Sequence, residues 1–139
     1  MADPRNPTFD ASLLPREESM TAPLLVYAAY LLSIPSAGLF ALVGVIIAYI
    51  KKDEAGPAAY SHYVFQIRTF WLSLLFIPLG ILLVIVGVPL SFIVVGIPIL
   101  IVGGLMTCGV TIWFAVRCVV GLMKAMDGAP YRNPRTWLV

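Results

Sequence analysis

The chain has 139 residues, of which 60% are hydrophobic and 12% are charged, and its formal net charge is +2. A soluble domain carries about a quarter charged residues, so this composition excludes an ordinary water-soluble globule. Between Thr69 and Met123 the only charged residue is Arg117, and a helix in such a stretch has no polar face to present to water. The chain is therefore predicted to lie in a lipid bilayer. It has no basic patch with interleaved aromatic residues, which excludes a nucleic-acid partner.

The N-terminal segment differs in character from the rest of the chain. Residues 1–21 combine acidic and basic side chains with three prolines. A cleavable signal peptide instead has a basic start followed by an apolar core. We predict that residues 1–21 form a polar, disordered tail, residues 22–126 a transmembrane domain, and residues 127–139 a C-terminal cytoplasmic tail.

The first predicted transmembrane helix covers about residues 23–50, a run without a charged residue. Pro35 lies in its interior and is expected to kink the helix. Tyr27 and Tyr30 lie near its start, as is typical of aromatic anchors at a membrane interface. Four charged residues, 51–54, and a Gly-Pro pair end it.

The remaining sequence predicts two more transmembrane helices. An amphipathic helical segment at about 58–69 leads into a second span at about 69–88, and a third span covers about 92–124. Its start is open between Leu90 and Ile99, because every residue there is apolar or small. A fourth crossing does not fit, since each crossing needs about 20 residues. The predicted fold is an all-α integral membrane protein with three transmembrane helices and with its ends on opposite sides.

The positions of lysine and arginine predict the orientation, because these residues accumulate on the cytoplasmic side of a membrane. Arg5 and Arg16 precede the first span, within an acidic tail. The other side receives more basic residues, which places the first loop and the C-terminus in the cytoplasm and the N-terminus outside it. These residues are Lys51, Lys52, Arg68, Lys124, Arg132 and Arg135.

Small residues recur at helical spacing on the first and third predicted helices. Stripes of this kind let helices approach closely in lipid. They indicate either packing among the three helices or contact between copies of the chain. The candidate packing residues are Ala37, Ala41, Gly44 and Ala48 in the first helix and Gly104, Cys108, Thr111 and Ala115 in the third.

Arg117 is the one charge inside a predicted span, and a charge in lipid is a candidate for function. Its long side chain can extend to the cytoplasmic headgroups. A structural ion pair with Asp53 or Glu54 is the alternative. Arg117 shares a helix face with Lys124, an arrangement that suits anionic lipid headgroups.

His62 is the only histidine, and with Gln66 it forms a polar line on the surface segment. It is either an interfacial polar residue or a group with a proton-linked role. One histidine cannot build a metal site without further ligands at suitable spacing. The sequence also has no nucleophile elbow, phosphate-binding loop or carboxylate pair within the membrane. We therefore predict no enzyme activity, no metal and no cofactor.

Two segments resemble a known family. The first reads Tyr-Ile-Lys-Lys-Asp-Glu at residues 49–54, followed by His62 and a Phe-Gln pair at 65–66; the second reads Lys-Ala-Met-Asp-Gly-Ala-Pro-Tyr-Arg-Asn-Pro at 124–134. Together they resemble small bacterial membrane proteins of the domain of unknown function 4870, which are grouped with the Tic20-like proteins. The resemblance implies a multi-pass protein of the bacterial inner membrane, with a periplasmic N-terminus in the orientation predicted above.

Both motifs lie on the predicted cytoplasmic side and are expected to meet there. The best functional interpretation is a structural or interaction component of the membrane that binds anionic headgroups, a membrane-protein partner or a second copy. A subunit of a channel or translocon-like assembly is the alternative. The candidate interaction residues are Lys51, Lys52, Asp53, Glu54, His62, Gln66, Arg117, Lys124, Tyr131 and Arg132.

Overall fold

The computed structural model describes residues 19–137, so most of the predicted N-terminal tail lies outside the described part. Within this range the chain is helical and has no strand, which confirms the predicted all-α class. Four helices follow one another: α1 (Thr21–Ser33), α2 (Leu39–Lys52), α3 (Pro57–Leu90) and α4 (Gly96–Met126). A single 3-10 turn, Ser91–Ile93, connects α3 to α4.

The prediction of one kinked helix over residues 23–50 is wrong, because the chain reverses at residues 34–38 and forms two helices. Pro35 has no N–H to continue the α-helical ladder. Ala37 and Gly38 then adopt positive φ angles of 52° and 89°, and the Gly38 N–H bonds back to the Ser33 carbonyl at 2.9 Å. A left-handed residue of this kind commonly ends a helix, so the proline marks a turn and not a kink.

Helices α1 and α2 pack against each other as a short hairpin. A Cβ atom at Gly44 of α2 would lie 2.7 Å from the ring of Tyr30 in α1, so glycine is needed for this approach. The two helices have 13 and 14 residues, or about 20 Å each, whereas the hydrocarbon core is about 30 Å thick. Neither is long enough to cross it, and three transmembrane helices are therefore not confirmed.

Helices α3 and α4 are both long and apolar enough to cross a membrane, judged by length and composition. Helix α3 has 34 residues and joins the predicted surface segment and second span without a break. Pro57 is its first residue, where the missing N–H has no consequence. Helix α4 has 31 residues and begins at Gly96, within the interval that the sequence left open.

Glycines allow α3 and α4 to run antiparallel in close contact. A Cβ atom at Gly87 would lie 2.9 Å from the backbone nitrogen of Leu100, and one at Gly103 would lie 2.9 Å from the carbonyl oxygen of Gly80. Backbone atoms leave little room to adjust, so these positions exclude larger side chains. The α1–α2 hairpin covers one half of this long hairpin, and its turn lies beside Pro78, about midway along α3.

Both described ends of the chain lie at the same end of the bundle. Gln66 Nε2 donates to the Pro23 carbonyl near the start of α1, and His62, one turn earlier on α3, bonds to the carbonyl of Ala129 after α4. We call this end, with the α2–α3 loop, the polar end. The prediction of ends on opposite sides assumed three crossing helices, whereas the described part of the chain starts and finishes at the same end of the bundle.

The stripes of small residues have different surroundings in the two helices. Ala41, Gly44 and Ala48 are buried between α2 and its neighbours, whereas Ala37 lies exposed in the turn. On α4, Cys108 is exposed, Thr111 and Ala115 are half-buried, and a Cβ atom at Gly104 would meet nothing within 4 Å. Helix α4 instead contacts the backbone of α3 at the neighbouring Gly103.

We expect Gly103→Ala to destabilise the bundle, and Gly104→Ala to leave it unchanged or slightly more stable. The first methyl group must displace α3 backbone, and overpacking of this kind costs about 1–3 kcal/mol. Both substitutions gain the same helix propensity, about 1 kcal/mol. Thermal unfolding in detergent micelles, followed by circular dichroism, measures the difference. Equal unfolding midpoints would contradict the close contact between α3 and α4.

Candidate interaction site at the polar end

The guanidinium of Arg117 is fully buried, with 0% of the residue exposed. Its Nε donates to the Thr69 hydroxyl at 2.9 Å, and its Nη1 donates to the Thr136 carbonyl at 3.1 Å. The cation also lies 3.8 Å from the centre of the Phe65 ring and 4.7 Å from that of Trp113, where each π face attracts it. Neither sequence hypothesis describes this arrangement, since Arg117 reaches inward to α3 and to the C-terminal segment.

The chain turns back after α4 through a helix cap that glycine makes possible. Gly128 has a φ of 66°. Its N–H bonds to the Ala125 carbonyl at 3.2 Å, and the N–H of Ala129 bonds to the Lys124 carbonyl at 3.0 Å, which is the Schellman pattern. Pro130 follows and prevents further helix. We call residues 127–137, which return along α3 and α4, the C-terminal strap.

Tyr131 fixes the middle of the strap against α3. Its N–H donates to the Ser61 hydroxyl at 2.8 Å, and its ring stacks on Phe65 with 4.0 Å between centroids. Lys124, which belongs to α4, has its Nζ 4.0 Å from the centre of the Tyr131 ring. Burial raises the pKa of the Tyr131 hydroxyl, and the Arg117 guanidinium acts in the opposite direction. Burial is the larger effect, so the phenol stays neutral.

Two further contacts hold the end of the strap at the level of Arg117. Trp113 Nε1 donates to the Trp137 carbonyl at 3.1 Å. The guanidinium of Arg68 lies 4.8 Å from the Trp137 ring centre. The strap is therefore attached to both long helices along its length, and it lies over the buried cation.

His62 connects α1 to the strap through its two ring nitrogens. Nε2 lies 2.9 Å from the Ala129 carbonyl, and Nδ1 lies 3.1 Å from the Tyr27 hydroxyl. Because a carbonyl can only accept, Nε2 carries a proton, and in the neutral ring Nδ1 accepts from the tyrosine. The Tyr27 and Tyr30 side chains are 1% and 0% exposed, so the prediction that they anchor the chain at a membrane interface is wrong.

Gln66 continues the polar line one turn further along α3. Its Nε2 donates to the Pro23 carbonyl at 2.9 Å, and its backbone carbonyl accepts from the Tyr30 hydroxyl at 3.0 Å. Within residues 19–137, its Oε1 and the Tyr131 hydroxyl are buried without a hydrogen-bond partner. These two atoms retain unused hydrogen-bonding capacity, as does the buried Nε of Arg68.

The charged residues of the α2–α3 loop do not join this cluster. The structure gives one ion pair among the candidate residues of the described range, Lys52 Nζ with Asp53 Oδ1 at 3.8 Å. These neighbours in sequence are solvent-accessible, and such a pair contributes little stability. Lys51, Glu54 and Arg132 are exposed. The structure thus brings together His62, Gln66, Arg117, Lys124 and Tyr131, and leaves the loop charges and Arg132 on the surface.

Several partners that complete the cluster were not predicted from the sequence. Because Tyr27 and Tyr30 are three residues apart, they share a helix face. This spacing could have predicted that both side chains contact the same neighbouring helix. Ser61 carried no signal of its own. Thr136 and Trp137 bind through their backbone carbonyls, and backbone contacts of this kind leave no sequence pattern.

A cavity of about 540 Å³ lies beside the α1–α2 turn, between that turn, α3 and α4. Its hydroxyl groups bond to carbonyls of their own helices: Ser33 to Tyr30 at 2.6 Å, Ser73 to Phe70 at 2.8 Å and Thr111 to Thr107 at 2.8 Å. The remaining lining is apolar. No group of three metal-binding side chains occurs within residues 19–137.

Comparisons of the chain with known protein families, with curated proteins and with solved structures find no match. The resemblance of the two motifs to the domain of unknown function 4870 therefore stays a prediction. The function has to be inferred from the arrangement of the polar end itself.

We expect Arg117→Leu to release the C-terminal strap while leaving membrane insertion intact. Hydrogen bonds to a charged group contribute about 1.5–3 kcal/mol, and leucine removes both of them and the ring contacts. Arg117→Lys should also loosen the strap, because an ammonium lacks the planar fork that reaches two acceptors. Hydrogen exchange of the amides at 131–137 measures the release. Arg132→Leu, at an exposed strap position, is the control, and exchange in Arg117→Leu as slow as in this control would contradict the assignment.

Replacing Tyr131 separates the role of its ring from that of its hydroxyl. Tyr131→Phe keeps the stack on Phe65 and loses a group without a described partner, so strap protection should match the wild type. Tyr131→Ala loses a buried ring, at a cost of about 3–5 kcal/mol. Limited proteolysis of the strap in micelles should be fast in the alanine variant alone. Similar cleavage of both variants would show that the ring does not hold the strap.

Proposed function

We propose that this chain is an integral membrane protein of a bacterial inner membrane, in which α3 and α4 cross the bilayer and the α1–α2 hairpin enters one leaflet and turns back. The lengths of the helices support this arrangement. So do the outward faces of the short hairpin, which are apolar: Leu25, Leu42 and Ile46 are 59%, 49% and 56% exposed. Lipid is the solvent that such a surface favours.

The basic residues support a cytoplasmic polar end. Positive charge accumulates on the cytoplasmic side, and the connection between α3 and α4 contains no lysine or arginine. In this arrangement both described ends of the chain lie in the cytoplasm. The basic residues of the polar end are Lys51, Lys52, Arg68, Lys124, Arg132 and Arg135.

At this end the protein acts, in our proposal, as a structural or interaction component that binds anionic lipid headgroups. The observation that carries the proposal is the strap folded over Arg117. It brings exposed Arg132, next to Tyr131, beside the start of α3. It also brings exposed Arg135, next to Thr136, to the level of Arg117. A basic surface next to a transmembrane helix attracts anionic lipids, by about 1 kcal/mol for each lysine or arginine near the surface.

The arrangement of polar groups favours this function over a channel. A pore needs polar groups that line a continuous path. The polar groups of α1, α3 and α4 instead bond to one another beneath the strap. The cavity beside the α1–α2 turn has an apolar lining with internally bonded hydroxyls.

Neutralising exposed basic residues should reduce the anionic lipid that stays bound. We expect the triple variant Lys51→Gln, Arg132→Gln, Arg135→Gln to retain several-fold less phosphatidylglycerol after purification, measured as lipid per protein by mass spectrometry. The matched control is Asp53→Asn with Glu54→Gln, which should retain as much as the wild type or more, since it removes negative charge from the same end. Equal retention by the triple variant and the wild type would refute headgroup binding.

A further inference from the structure

The connection between α3 and α4 has an unusual composition for a turn. Residues 91–95, which we call the tip, read Ser-Phe-Ile-Val-Val. Phe92, Ile93 and Val94 are 91%, 72% and 70% exposed. Turns in water are dominated by Gly, Pro, Asn, Asp and Ser, and the tip contains only one of these.

The polar groups of the tip bond within the tip or to the end of α3. The Ser91 hydroxyl donates to the Val88 carbonyl at 2.6 Å. The N–H groups of Val94 and Val95 donate to Ser91 and Ile93 carbonyls at 3.0 and 2.8 Å, and that of Ile97 donates to the Val94 carbonyl at 3.1 Å. A turn with these internal bonds needs few partners from water, which is the condition for placing backbone in a membrane.

Val94 is an apolar residue at a backbone conformation that is unusual for valine. Its φ is 68° and its ψ is −34°, and a β-branched residue with a positive φ is an outlier. A turn in water commonly places glycine at a positive φ. In lipid, valine covers this part of the backbone with an apolar side chain, at the expense of backbone strain.

The length of the long hairpin fits a tip that does not leave the lipid. Arg68 on α3 and Arg117 on α4 are the charged residues nearest to the tip. From Thr69 to Leu90 helix α3 rises about 32 Å at 1.5 Å per residue. With the average helix tilt of about 20°, this rise covers about 30 Å, which is the thickness of the hydrocarbon core, so the tip lies at its far boundary, beneath the headgroups.

We propose that the tip is buried in the lipid of the far leaflet, against acyl chains beneath the headgroups, and that the described part of the chain presents hydrophilic surface on one side of the membrane only. This rests on the proposed crossing of the bilayer by α3 and α4. The apolar surface continues from the tip to Ile85 on α3 and Leu105 on α4, which are 62% and 70% exposed. The exposed side chains of the tip are large and apolar, whereas helices associate in lipid mainly at small or hydrogen-bonding residues, which favours lipid over a second copy.

Cysteine accessibility tests the depth of the tip in the full chain. In vesicles, Val94→Cys in a Cys108→Ser background is treated with a membrane-impermeant maleimide, before and after a pore-forming toxin opens the vesicles, and again in detergent. We expect labelling only in detergent. The matched control is Asn133→Cys, on the exposed strap, which should react as soon as water reaches its side. Labelling of Val94→Cys through the toxin pores would overturn the proposal, as would an oxidative Val94→Cys crosslink between two copies.

Two substitutions at Val94 separate lipid from water at the tip. Val94→Gly relieves the strain of the positive φ, and Val94→Asn replaces a β-branched side chain by a polar one that occurs more often at positive φ. In lipid the glycine variant should unfold at the wild-type temperature or above, and the asparagine variant several degrees below it. Stabilisation by both would show that the tip faces water. The flotation of each variant with vesicles is measured in parallel, because loss of flotation by the wild type would refute membrane insertion itself and not the depth of the tip.

Discussion

One buried cation determines how the polar end of this protein is organised. A guanidinium without water must find its hydrogen bonds and counter-interactions in the fold, since its desolvation is costly. Arg117 finds them on three sides, at Thr69 on α3, at Thr136 on the strap and over the aromatic ring of Phe65. Each of these groups must be in place for the others to be effective. The strap is consequently an integral part of the bundle.

The bundle combines two kinds of packing that depend on different physics. The long α3–α4 hairpin is held by close backbone approach at Gly87 and Gly103, which is the way helices associate where no hydrophobic driving force exists between them. The polar end is held by directional bonds from His62, Gln66 and Arg117. Close backbone approach at glycines suits a hydrocarbon environment. Directional hydrogen bonds suit a region between hydrocarbon and water. The α1–α2 hairpin covers the half of the bundle where the two kinds meet.

The sequence predicted the parts of the fold that depend on composition and missed those that depend on a single backbone conformation. The uncharged run after Thr69 predicted two long apolar helices, and Pro57 marked the start of α3. Pro35 was compatible with a kink or a turn, and the turn is decided by positive φ angles that only Gly38 could have indicated. Arg117 stood out as the one charge in a predicted span, and His62 and Gln66 as a polar line on the predicted surface segment. The backbone carbonyls that His62 and Arg117 contact were not predictable, because they require the strap to fold back.

The side-chain NMR signal of Arg117, recorded on wild-type protein in isotropic bicelles, tests directly whether its guanidinium is buried and hydrogen-bonded. A buried guanidinium that donates to Thr69 should give a resolved Nε–H signal that exchanges slowly with water and shows nuclear Overhauser contacts to Thr69 and to the Phe65 ring. The guanidinium of Arg132, which is exposed, provides the reference in the same spectrum. An Arg117 signal that exchanges as fast as that of Arg132 and shows no contact to Phe65 would contradict the burial of Arg117 between α3 and the strap.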